Sequence, residues 1–287
     1  MDVLCIGNLN YDISFHLSRL PEIHEKIRCE NTTFSCGGSA GNTACWLGTL
    51  GLSCGILGGV GDDAFGRAQI QDLHAHHVDT SHLIIKDRSG IAVIMVEGEV
   101  KRMIKYSGAN RLIDAHNLPM SDHIHMSSIE KSILETVIST RSDETILSWD
   151  PQELFFKEYI PSVDYIFINE DDLRRYTGNS SLEDAVASLD AHTVIVTMNG
   201  GGCTIFRDLP VDLPSFGVKA LDTTGAGDAF DAGFIFGLLS DLDVRSCGIL
   251  GTACASLKVQ HVGARGGICS WDDLKKFLHN HNIRLSF

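Results

Sequence analysis

From residue 40 onward, short β-branched or apolar runs alternate with amphipathic segments, and this alternation points to an α/β chain: a mostly parallel sheet covered by helices. Strand-like runs fall near 53–58, 123–127, 145–149, 164–168 and 193–197, with helical patterns near 40–51, 63–76, 130–140 and 170–190 between several of them. A further strand-like run, Val3 to Gly7, stands at the start. The final stretch changes character, because 226–240, 243–258 and 271–281 all read as helices. At 287 residues the chain is long enough for one such domain with a core that supports itself. In sheets of this kind ligands gather at the carboxyl ends of the strands.

Two early segments break the alternation. One is 27–35; the other is 91–106, where Ile91 to Val96 and Arg102 to Tyr106 flank a Glu97-Gly98-Glu99 turn of hairpin type. Neither an internal repeat nor a Pro/Ser-rich linker sets these segments apart. We therefore expect a single domain over 1–287 with a small β-sheet lid built from segments near 12–17, 27–35 and 91–106.

Charge and cysteine usage exclude several functions. With 23 basic against 37 acidic residues the net charge is -14, opposite in sign to a nucleic-acid footprint. No stretch reaches the roughly 18 apolar residues of a membrane span, and the strand-like run at Val3 lies where a signal peptide would be. A cytoplasmic protein without membrane or nucleic-acid partners is expected. Nine cysteines, an odd number with no C-x-x-C pair, signal neither a disulfide framework nor a zinc site. Reduced, mostly buried thiols are expected instead.

The strongest local motif is Asp222-Thr223-Thr224-Gly225-Ala226-Gly227-Asp228-Ala229-Phe230, which runs directly into an apolar helical segment. Two glycines before a helix let consecutive N–H groups point at one spot, and the helix dipole favours an anion there. A carboxylate beside such a cradle is a poor anion ligand but can accept a proton from an attacking hydroxyl. A simple N-cap is the alternative role for Asp228. A second motif, Gly37-Gly38-Ser39-Ala40-Gly41-Asn42, also leads into a helix. It reads either as a tight turn or as a cradle in which Asn42 donates and accepts. Near the first strand Asn10 and Asp12 share one side of the chain and suit sugar hydroxyls.

On these residues the chain resembles the ribokinase-like (PfkB) family of carbohydrate and nucleoside kinases, from about residue 3 to residue 280. Asp222 to Phe230 is similar to that family's second signature and Gly37 to Ala44 to its first. Landmarks between and beyond them agree in order: Gly59 to Gly66, Ser107-Gly108-Ala109-Asn110, Asp150-Pro151, Asn169 to Asp172, and Val262-Gly263-Ala264. The resemblance implies a three-layer ribokinase-like domain and an ATP-dependent phosphotransferase acting on a nucleoside or sugar hydroxyl. It implies Asp228 as catalytic base, an anion hole at Gly225, Ala226 and Gly227, and acceptor contacts from Asn10, Asp12, Gly37, Gly38, Asn42 and Asn110. The nucleotide would lie against Asn169, Thr197, Asn199, Gly200, Gly202, Thr252 and Ala255. Magnesium is implied near Asp172 and Glu170, a potassium ion near Asp222 and Thr224, and a homodimer formed through lid sheets.

Two departures stand out. The family's Asn-x-x-Glu ends here in Asp172, one methylene shorter, and Asn199 replaces the first glycine of the loop under the nucleotide. Asparagine tolerates positive φ, so the turn is expected to survive. The segments 123–128, 147–152 and 246–259 look most like archaeal-type nucleoside kinases of the family, which favours a nucleoside phosphorylated at a primary, 5′-type hydroxyl. A free-sugar kinase of ribokinase or fructokinase type is the alternative. For a nucleoside base, Phe15, Phe34, Ile91, Val93, Met103 and Tyr106 are candidate stacking surface, or plain lid core.

Rivals of other classes are an NAD(P)-binding oxidoreductase and a non-catalytic binding protein. Gly59-Val60-Gly61-Asp62-Asp63-Ala64 satisfies a dinucleotide fingerprint, yet Asp62 and Asp63 would lie where a pyrophosphate must sit. Retention of Asp228 speaks against a non-catalytic protein. Among the histidines, the groups at 74–77 and 279–281 read as solvated, whereas His125 either faces the cleft or is a satisfied buried histidine.

Overall fold

The first strand, β1 (Val3–Gly7), is buried on both faces: Val3 and Cys5 enter one apolar core, Leu4 and Ile6 the other. Period-two alternation thus feeds two helical layers from one strand, as a covered parallel sheet requires. The computed structural model describes residues 1–98 and 100–285, so Glu99 of the expected hairpin turn lies outside the described residues. In chain order β1 is followed by β2 (Asn10–Leu17), β3 (Asn31–Gly37), α1 (Ser39–Leu50), β4 (Cys54–Val60), α2 (Ala64–Ala75) and β5 (Leu83–Ile85). Next come β6 (Gly90–Glu97), β7 (Val100–Tyr106), β8 (His123–Ser127), α3 (Lys131–Thr140), β9 (Ile146–Asp150) and β10 (Tyr165–Asn169). The chain continues with α4 (Glu170–Thr177), α5 (Leu182–Ala187), β11 (Val194–Met198), β12 (Gly202–Phe206), β13 (Val211–Pro214), α6 (Ala226–Leu239), α7 (Val244–Lys258) and α8 (Trp271–Asn280).

Among the described residues, nine strands form one sheet in the order β13-β12-β11-β10-β9-β8-β1-β4-β5. It is parallel except at one edge, where β12 runs antiparallel to both β11 and β13. One core lies between this sheet and α1, α6 and α7, with Trp46, Phe167 and Phe234 as its largest side chains. The other packs Trp149, Leu134 and Leu173 on the opposite face. A second sheet, ordered β3-β2-β6-β7, is antiparallel apart from the parallel β2–β6 pair, which sets Asn10 opposite Gly90.

Three sequence expectations change. The helix expected over 170–190 is two helices: α4 stops at Gly178, which adopts a left-handed conformation, and the Ser181 side chain then caps α5 by accepting from the Asp184 N–H. The strand expected at 27–35 begins only at Asn31 and runs to Gly37. Strands β5, β12 and β13 carry no alternation long enough to read in sequence; β13 ends in Pro214, which an edge strand tolerates. All nine cysteines are free. No helix among the described residues is long and apolar enough to cross a membrane.

Candidate active site

Helix α6 starts where Gly225, at φ +78°, turns the chain; a Cβ there would come within 2.5 Å of the Ala264 carbonyl, so no other residue fits. The N–H groups of Gly227 and Asp228 fall in the first turn, where no carbonyl lies four residues back within the helix. They face a cleft of about 1060 Å³ at the carboxyl ends of the central strands, between the main sheet and the second sheet.

Asp228 is buried on the floor of this cleft. Its Oδ2 accepts from the Asn42 Nδ2 at 2.7 Å, and its carbonyl accepts from the Thr43 hydroxyl at 3.3 Å. Burial pushes the Asp228 carboxyl up to about 6, against the lowering effect of the Asn42 and Ser39 hydrogen bonds and of Arg265. The same cause holds Asp12 at about 6. Asp150, at the end of β9, is pushed to about 7 by burial and then by the negative charge of Asp228. A buried carboxylate pushed toward neutrality is suited to accept a proton at physiological pH.

Of the residues singled out for the acceptor, Asn10, Asp12, Gly38 and Asn42 line the cleft. Gly37 does not; its carbonyl accepts from Gln69 and Arg265. Asn110 also stands outside, accepting from the Leu9 N–H and donating to Asn10 Oδ1 at 2.8 Å each, so it holds the corner that presents Asn10. On the opposite side Asn169, Thr197, Asn199, Gly200, Gly202, Thr252 and Ala255 line the cleft together with Asp172. Positive φ falls on Gly200 and Gly202, not on Asn199, whose amide donates to Asp171 at 2.8 Å; the turn does not depend on a left-handed asparagine. Glu170 is spent on Arg174 and lies off the lining.

A model of the pfkB family of carbohydrate kinases matches residues 1–271. The chain belongs to that family. Among its relatives, the ATP-dependent ribose-1-phosphate kinase of Halopiger xanaduensis is 30% identical, the match covering 92% of this chain and 93% of the relative. The nucleoside kinase of Methanocaldococcus jannaschii is 25% identical over 98% of each chain. A crystal structure of the nucleoside kinase from that organism superposes with a TM-score of 0.87 at 24% identity, covering 98% of both chains, and shows the same fold. This pfkB-family chain is therefore a phosphotransferase acting on a sugar or a nucleoside.

The dinucleotide reading fails on geometry as well. In this kinase Asp63 caps α2 by accepting from the Gly66 N–H and also accepts from the Ser89 N–H and hydroxyl, while a Cβ on Gly61 would meet the Ser89 nitrogen. These glycines serve packing. His125 is the buried alternative: fully enclosed, it bonds Ser148 and Ser127 and lies off the cleft. Of the six candidate stacking residues only Met103 reaches the lining.

Sequence reasoning missed Arg265, Lys101, Lys105 and Asp231. Arg265, 7% exposed, donates to Asn42 Oδ1 at 3.0 Å, to the Gly37 carbonyl and Gln69 Oε1 at 3.1 Å each, and pairs with Asp72. No local pattern announces it, since its partners lie some 190 to 230 positions away in sequence. Asp231 was legible only as one turn beyond Asp228 on α6.

Asp231 lines the cleft, yet its Oδ2 has no hydrogen-bond partner. Burial, then the charges of Asp150 and Asp228, holds its carboxyl well above the ordinary range. A carboxyl raised in the folded state favours the protonated form, so its penalty grows as pH rises from about 4, the unfolded value. Asp231→Asn is therefore expected to raise the melting temperature at pH 8 by about 2 °C or more, with a smaller gain at pH 5. Calorimetry at both pH values tests this; an unchanged or lower melting temperature at pH 8 would refute it.

Proposed function

We propose that this kinase transfers the γ-phosphoryl group of ATP to the primary, 5-type hydroxyl of a ribose unit, with Asp228 as the base. The observation that carries the reading is the buried Asn42–Asp228 pair, 2.7 Å apart, set at the start of α6 beside the Gly225–Gly227 turn and in one cleft with Asp12. Asn42 holds Oδ2 and Ser39 also bonds the carboxylate, which keeps lone-pair sites for the acceptor hydroxyl. As the oxygen–phosphorus bond forms and ADP leaves, Asp228 takes the hydroxyl proton. The N–H groups of Gly225 and Gly227 would meet the charge that spreads over the transferring group, the Ala226 N–H being donated to the Thr223 carbonyl at 3.1 Å. Asp12 and Asn10 read ring hydroxyls, and the second sheet serves as a lid that excludes water.

Magnesium fits the carboxylates present. Asp150 and Asp172 both line the cleft, and the charges of Asp228 and Asp172 both raise the Asp150 carboxyl; the Arg175 guanidinium, largely exposed, pairs with Asp172 Oδ1 at 2.7 Å, a contact that a bound cation would displace. Asp150 and Asp172 would hold the ion, which when bound neutralises phosphate charge on the nucleotide. Asn169 keeps Asp172 in place by donating to Oδ2 at 2.6 Å. Exposed Phe34, Ile104 and Tyr106 on the second sheet support association of two copies through that sheet.

The second sheet brings Asn10, Asp12, Ala92, Met103 and Lys105 to the cleft: one cation and no aromatic ring. That favours ribose or a ribose phosphate over a base held by stacking. The relative named for ribose 1-phosphate agrees with this, while the one named for nucleosides keeps a nucleoside as the second reading, with the flexible Met103 as its apolar contact. Steady-state kinetics with ribose, ribose 1-phosphate, fructose, adenosine, cytidine and the 2′-deoxynucleosides tests it. The largest kcat/KM is expected for ribose 1-phosphate or ribose; a hexose exceeding every ribose compound would overturn the acceptor assignment.

A further inference from the structure

Asp222 opens the turn that carries the anion hole, and each of its three oxygens is matched to a donor of this chain. Oδ1 accepts from the Lys101 ammonium at 2.8 Å, from the Thr224 N–H at 3.0 Å and from the Thr224 hydroxyl at 2.7 Å. Oδ2 accepts from the Gly263 N–H at 2.9 Å. The carbonyl oxygen accepts from the Lys258 ammonium at 2.7 Å. An alkali ion bound by protein needs oxygens free to replace its hydration shell. The three Asp222 oxygens and the Thr224 hydroxyl, expected from sequence to hold potassium, are thus engaged by donors of this chain and do not fit one.

Two ammonium groups stand there instead, and they differ in permanence. Lys101 is half exposed and comes from β7, so its contact depends on where the second sheet lies. Lys258 ends α7 and has no exposed surface. Besides the Asp222 carbonyl it donates to the His261 carbonyl at 3.1 Å, tying the 222–225 turn to the segment that follows α7. These stretches meet at further points: the Leu221 and Asp222 N–H groups both reach the Val259 carbonyl, and Gly225 lies against Ala264. A buried ammonium is unfavourable unless compensated. Here the carbonyl pair, the adjacent Asp222 carboxylate and the negative end of α7 compensate it.

We propose that Lys258 is a built-in cation, its ammonium supplying beneath the Asp222–Gly225 turn the fixed positive charge that would otherwise come from a bound monovalent ion. The anion hole is then assembled without potassium. This rests on the reading of Gly225–Gly227 as the anion hole.

The test compares potassium chloride with tetramethylammonium chloride at equal ionic strength. For the wild-type protein, melting temperatures are expected to agree within about 1 °C, because no ion binds the folded state selectively, and kcat within about twofold. Lys258→Ala is expected to lose at least about tenfold in kcat and to recover part of it in potassium or ammonium chloride but not in tetramethylammonium chloride. Lys258→Met, which fills the space, is expected to be impaired without recovery and serves if the alanine variant does not fold. Saturable activation or stabilisation of the wild type by potassium would overturn the proposal. So would activity of either variant within about threefold of wild type, or a folded alanine variant that no small cation relieves. The melting comparison needs no substrate, so failure of the kinase reading, seen as no phosphorylation in any salt, is distinguishable.

Discussion

Asp228→Asn is expected to lower kcat by about 10²–10⁴-fold while nucleotide affinity changes little, because the substitution removes a proton acceptor and keeps the shape of the group that Asn42 holds. Stability provides the control. The Asp228 carboxyl sits at about 6 when folded, above the unfolded value of about 4. Ionised Asp228 therefore destabilises the folded state increasingly as pH rises from about 4 through 6, and an uncharged amide lifts that penalty at pH 7.5. A melting temperature at or above that of the wild type, together with the loss of kcat, assigns the effect to chemistry. In the wild type the base must be ionised, so kcat/KM is expected to fall on the acid side of about pH 6. Activity of the asparagine variant within a factor of a few of wild type would remove Asp228 from its role.

The second large effect concerns Arg265, which positions groups without itself lining the cleft. Replacing it with glutamine breaks the ion pair with the part-exposed Asp72 and removes the donor to Asn42 Oδ1 and Gln69 Oε1, while the Gly37 carbonyl keeps only the Gln69 amide. A buried acceptor left without its donor costs about 1–3 kcal/mol, readable as a lower denaturant midpoint. A kinetic signature separates positioning from mere folding. Arg265 holds the carboxyls of Asp12 and Asp228 down against burial, so without it both rise and the acid limb of kcat/KM moves to higher pH. Arg265→Lys is expected to restore charge but not geometry, since a lysine ammonium lacks the planar fork that reaches four partners at once. An unshifted acid limb in a folded glutamine variant would leave Arg265 purely structural.

Much of this kinase was legible before any coordinates. Strands such as His123–Ser127 and helices such as Val244–Lys258 follow from hydrophobic period, because each must bury one stripe or alternate faces against a neighbour. The Asp222–Asp228 and Gly37–Asn42 stretches were legible because their roles depend on backbone conformation and on a helix start, which are local properties. The break at Gly178 was misread for want of weighing a single left-handed cap against the helical pattern around it.

What the tertiary structure alone decided is which side chains meet. Asn42 and Asp228 are 186 positions apart, Arg265 and Gly37 are 228 apart, and Lys258 closes on a carbonyl 36 positions before it. None of these pairings has a local signature. A hydrogen bond or a carboxyl pushed toward neutrality depends on distance and on exclusion of water, and both are set only when α1, α6, α7 and the second sheet close around one cleft. Residue types and turn chemistry were thus determined by the sequence itself, while charge state, partner and the presence of an internal ammonium against the Asp222 carbonyl were decided by packing.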